Sequence, residues 1–109
     1  MAERHVGIMG GAIDLTDREE LLSNSVEIAR LWVQDQGPGH FFIDAYKMPD
    51  AGMFGMMITD TVRHAARAYA HALGITEAQA AVSIWRGVDD EREKHTTELN
   101  TIDPSERIH

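Results

Sequence analysis

The chain has 109 residues, 43 % hydrophobic and 26 % charged, with 18 acidic against 10 basic side chains and a formal net charge of −8. This length gives room for one domain (1–109) with a modest core and excludes two. The acidic balance disfavours nonspecific binding to nucleic acid or an anionic membrane, no apolar run approaches the roughly 20 residues of a membrane span, and without cysteine there is no disulfide, thiol nucleophile or thiolate zinc site.

Residues 1–15 carry three glycines and isolated apolar residues without a period, which predicts a flexible or extended arm. They lack the basic start and long apolar core of a signal peptide, so the expected location is the bacterial cytoplasm. Thr16 and Glu19 fit a Thr-x-x-Glu capping box, predicting a short helix from Asp17 that carries Leu21 and Leu22. Ser23, Asn24 and Ser25 favour a break.

In residues 27–34 periodicity alone is ambiguous, because Ile28, Ala29, Trp32 and Val33 also fit one helical face. Helix is the alternative; strand is preferred because the stretch is rich in β-branched and aromatic residues and runs into the turn cluster Asp35, Gln36, Gly37, Pro38, Gly39. Residues 40–46 then form the returning strand, with Phe41, Ile43 and Ala45 on one side and Phe42, Asp44 and Tyr46 on the other. A lone two-stranded hairpin is marginal in water, so it needs a helix, a third strand or the same hairpin from another subunit against it.

Met48, Pro49 and Asp50 end the strand and open the dominant element of the chain, a long amphipathic helix over 50–74. Asp50 is placed to cap its first turn and Gly74 to stop it in the left-handed region. On a helical wheel its apolar arc, including Phe54, Ile58, Val62, Ala65, Ala66 and Tyr69, is expected to face the core. A second box, Thr76 with Gln79, opens another helix, with the apolar stripe Ala78, Ala81, Val82, Ile84, Trp85 and Val88. Arg92 interrupts that stripe, so the helix runs on solvated to about Lys94. Residues 96–109 are polar, contain Pro104, and read as an exposed tail. Trp32 and Trp85 fall on apolar patterns and are expected to be core anchors.

The fold class these elements imply is α+β, a β-hairpin packed on a long amphipathic helix with a second, C-terminal helix. Unpaired sheet edges and an incomplete core make a homodimer the expected state. Three pieces of sequence add a resemblance: "LWV" at 31–33 before the Gly-rich turn, "DAGMFG" at 50–55 and "DTVRHAARAYA" at 60–70. Over 31–70 the chain resembles a small, mainly alphaproteobacterial family known only as a domain of unknown function. The resemblance implies a hairpin followed by two helices; that family has no assigned activity, so it assigns no functional residue.

The sharpest candidate site is the polar face of the long helix, where Asp60, Arg63, His64, Arg67 and His71 project from one side at three- and four-residue spacings. Residues 51–75 hold one acid against two arginines, whereas 86–109 hold seven acids against four bases, so this helix is the locally basic element of an acidic chain. Arginine and histidine together suit a small anionic ligand or an acidic protein segment. The bland reading is a solvated face supported by Asp60 pairs with Arg63 and His64. The enzymatic alternative uses His64 as general acid/base oriented by Asp60, but spacing places no serine, cysteine or second carboxylate beside them. A metal site is disfavoured because His71 lies about 10 Å along the axis from His64. Met48, Met53, Met56 and Met57 read as packing residues, and Gly7, Gly10 and Gly11 lack the Lys and Ser/Thr of a phosphate loop. No cofactor, no catalytic residue and no metal ligand is therefore expected, and the sequence favours a noncatalytic binding or interaction domain.

Overall fold

The computed structural model describes residues 10–95 and 99. The first nine residues of the expected arm, and the expected tail apart from Leu99, lie outside the described residues. The order is α1 (Glu19–Ser23), β1 (Ala29–Val33), β2 (Gly39–Ile43), α2 (Ala51–Leu73) and α3 (Glu77–Lys94), the α+β arrangement that the periodicity predicts.

The first departure is local. Thr16 does not cap α1: its N–H and its hydroxyl both donate to the Asp14 carboxylate, at 2.9 and 2.7 Å. With that side chain occupied, the helix begins two residues later than predicted, behind Arg18 and without any side-chain cap. It spans a single turn and buries nothing.

Residues 29–33 are strand, which resolves the ambiguity of the 27–34 segment. The two strands pair antiparallel in the register Ala29↔Ile43, Leu31↔Phe41 and Val33↔Gly39. Directly opposed residues share a face, so these apolar residues form one side of the hairpin, and Arg30, Trp32, His40 and Phe42 form the other. Gln36 takes a left-handed φ of 53° in the connecting turn, which the Gln34 N–H closes onto the Pro38 carbonyl at 3.0 Å. A Cβ at Gly39 would stand 2.9 Å from Cζ of Phe41, so a larger residue there would have to displace that exposed ring. β2 stops at Ile43, three residues short of the expected strand, because Asp44 turns the chain: its carboxylate accepts from the Tyr46 N–H and its carbonyl from the Lys47 N–H. Gly11 lies against Trp32 on the second face, close enough that a Cβ would meet the ring at 4.0 Å.

α2 forms as the sequence specifies. Asp50 accepts from the N–H groups of Gly52 and Met53, and Gly74 closes the helix with φ of 70° while its N–H returns to the Ala70 carbonyl. Thr76 and Gln79 complete a reciprocal capping box, with bonds of 3.0 and 2.9 Å. The connection 74–76 turns α3 back along α2, and the two helices pack together. The hairpin meets the helices through side chains only, since no strand Cα comes within 8 Å of a Cα of either long helix.

The core is much narrower than the apolar arcs predict. Among the described residues only Val62, Ala66 and Ala80 are buried, with Phe54, Ala65, Ala70, Ala81, Ile84 and Val88 half-buried. Ile58, Tyr69 and Val82 are exposed instead of lying in a core, and Trp85, expected as an anchor, is 41 % exposed. The reason is geometric. A helix pair covers one narrow stripe of each member, and here the stripe follows the small residues that let the axes approach.

Two outcomes follow for chemical denaturation. Thr76→Ala should cost about 1 kcal/mol, whereas Thr16→Ala should stay within about 0.5 kcal/mol because no helix N–H loses its acceptor. Arg30 hydrogen-bonds the Glu27 carboxylate and, aided by its charge and that of Lys47, holds that carboxyl below the usual glutamate range against a smaller opposing effect of burial. A carboxyl lowered in the folded state adds stability at neutral pH that disappears as the pH falls through the lowered value. Arg30→Ala should therefore flatten the acid limb of the stability profile below the ordinary glutamate range, by a small amount because both side chains are exposed.

Candidate functional site

The five residues singled out from sequence all stand on the solvent side of α2, and all are exposed. An unbroken helix fixes their directions, because spacing of three and four residues stacks side chains on one face. Arg63 donates from Nη1 to Asp60 Oδ1 at 3.3 Å, one turn apart. Arg67 donates from Nε to Glu77 Oε2 at 3.1 Å, reaching across the 74–76 connection to the first turn of α3. The Asp60–His64 pair expected from spacing is not formed. Asp60 is turned to Arg63, and neither the His64 nor the His71 ring is hydrogen-bonded. A guanidinium presents five donors on a long stem and outcompetes an imidazole for the same carboxylate at this distance.

The electrostatics are those of an open surface. Arg63 and Arg67 have side chains 79 % and 80 % exposed, so water and salt screen their pairs strongly. Each guanidinium spends one donor within the chain and turns the rest outward. Such a face can take up carboxylate or phosphate oxygens at low energetic cost, since nothing has to be broken first beyond weak exposed pairs. Among the described residues no polar or charged side chain is buried, and no group of three or more His, Asp or Glu side chains is set to hold a metal ion.

Glu77 is the participant that sequence reasoning missed. Its signal was present: the capping box at Thr76 places Glu77 in the first turn of α3, and a short connection folds that turn against the last third of α2, where Arg67 lies.

A family model described as "Domain of unknown function (DUF5076)" matches residues 18–96. The chain belongs to this family. The match takes in both strands and both long helices, so it includes the whole polar face and extends on either side of the 31–70 resemblance. A chain described as "Structure of a putative pyruvate dehydrogenase from the photosynthetic bacterium Rhodopseudomonas palustrus CGA009" is similar at 28 % identity with a TM-score of 0.62, over 87 % of this chain and 98 % of that one. No curated protein matches significantly. A solved chain of nearly the same span thus carries a similar fold. Among the described residues no helix is long and apolar enough to cross a membrane.

The exposure of the Arg67–Glu77 pair sets its weight. A double-mutant cycle on Arg67→Ala and Glu77→Ala should give a coupling of no more than about 0.5 kcal/mol, and His71→Ala should leave the unfolding free energy within about 0.5 kcal/mol of the parent.

Proposed function

We propose that this protein is a noncatalytic interaction domain of the bacterial cytoplasm, and that the outer face of α2 meets a partner rich in carboxylates. The observation that supports this most is the placement of Arg63, His64, Arg67 and His71 on the solvent side of the locally basic helix of a chain with net charge −8. An acidic chain that concentrates outward-turned guanidinium donors on one rigid face has a surface suited to an acidic protein segment, with small anions as weaker competitors. The exposure of all five side chains favours recognition over chemistry. General acid/base catalysis by His64 calls for a partner that orients the ring, and the carboxylate in reach is engaged by Arg63.

The resemblance to a chain named as a pyruvate dehydrogenase does not change this reading. Oxidation of a 2-oxo acid needs reacting groups held where water is excluded, and every polar side chain described here keeps contact with solvent.

The test is an NMR titration of the protein with a short polyglutamate peptide and, separately, with inorganic phosphate. Amide shifts should cluster at Asp60, Arg63, His64, Arg67 and His71, be larger for the peptide, and shrink as salt is raised. Reversing charge at both Arg63 and Arg67 should abolish them. If neither probe shifts this face in low salt, or if the double variant responds like the parent, the proposed function fails.

A further inference from the structure

Among the described residues two apolar surfaces are exposed, and both differ from the polar face. One is the hairpin side formed by Ala29, Leu31, Val33, Phe41 and Ile43, where Leu31 is 67 % and Val33 77 % exposed. The other lies on α2. At 100° per residue the circumference of α2 divides into three arcs. Val62 and Ala66 mark the arc beneath α3, and Asp60, Arg63, His64, Arg67 and His71 mark the polar arc. Between them Thr61, Ala65, Ala68 and Ala72 form a line of small residues flanked by Met57, Ile58 and Tyr69; Ala65 and Phe54, which shares this arc, are half-buried and the other six are exposed.

We propose that a second copy of this chain covers both surfaces, in a homodimer without which the domain does not hold its fold. Three buried residues in a described span of this size give far less sequestered apolar surface than an independently stable domain needs. The cover must then be present whenever the chain is folded, and another copy is the molecule always at hand. The area agrees. The exposed portions of Leu31, Val33, Phe41, Ile43, Met57, Ile58 and Tyr69 amount to roughly 800 Å² per chain, the share each partner contributes to a stable, specific interface. Neither surface carries a charged residue, so the net charge of −8 on each copy is kept off the contact. A hairpin with two free edges and a helix arc lined by alanines are also the kinds of surface that allow close backbone approach in a symmetric pair.

The experiment is sedimentation equilibrium on the full chain, paired with thermal unfolding at protein concentrations spanning a hundredfold. The expected species has twice the 12.2 kDa chain mass, and its melting temperature rises with concentration. Ala68→Glu and Leu31→Asp should each shift the mass toward one chain or leave the chain unfolded. Both side chains are exposed in the isolated chain, so a self-sufficient monomer would tolerate either charge. A cooperatively folded species of 12.2 kDa, with a melting temperature independent of concentration, overturns the proposal, as does a dimer that survives both substitutions. Arg63→Glu, on the polar arc, should leave the mass unchanged. Loss of the dimer and loss of peptide binding are therefore read on different variants, and failure of one leaves the other standing.

Discussion

The close approach of α2 and α3 is the contact on which the described fold depends. It is made by small side chains. Ala66 on one helix and Ala80 on the other have almost no solvent exposure, and among the described residues Val62 is the one larger side chain buried with them. Alanines allow the axes to come near, but they bury little area: full burial of a valine is worth on the order of 2 kcal/mol and an alanine contributes less. The seam therefore orients the helices well and stabilises them weakly. The two caps around the connection complete the geometry, because Gly74 ends α2 in the left-handed region and Thr76 with Gln79 starts α3 in a fixed direction.

That seam also decides what the rest of α2 is left to do. With one arc under α3, the remaining circumference divides into a charged arc and an apolar arc, and each is open to solvent. Arg67 joins the two helices a second time through Glu77, at the rim of the polar arc. This pair is too exposed to carry much stability, and its effect is positional: it holds one guanidinium toward the start of α3 while Arg63 stays with Asp60. The hairpin lies outside this seam, and among the described residues its Leu31, Val33, Phe41 and Ile43 side is exposed.

Element type and boundaries were largely legible because each rests on short-range chemistry. Asp50, Gly74, Thr76 and Gln79 do what their residue types do at helix ends, and the cluster 35–39 separates the strands as its composition demands. The failures share a cause, which is competition for a side chain that spacing alone cannot adjudicate. Thr16 matched a capping box, but Asp14 takes both its donors; Asp60 lay in reach of His64, but Arg63 takes its carboxylate. Burial was the least legible property. Hydrophobic periodicity identifies which side of α2 is apolar, and it says nothing of whether the same chain supplies enough matter to cover that side. Trp85 and Tyr69 lie on apolar arcs and still face solvent, since periodicity records a preference and not its fulfilment.

The same geometry ties the proposed recognition to stability in this molecule. The polar and apolar arcs of α2 share one backbone and are interleaved turn by turn, His64 beside Ala65, Arg67 beside Ala68, His71 beside Ala72. Whatever orders the apolar arc also fixes the directions of the arginines and histidines, because a helix bound along one side cannot fray along another. A preorganised face loses less side-chain and backbone entropy on meeting a partner than a mobile one, so its affinity depends on packing several ångströms away on the opposite side of the helix. In this family member, then, the charged residues alone would not define the proposed recognition surface. Its properties rest equally on the alanines that let α3, and any further cover, come close enough to hold the helix still.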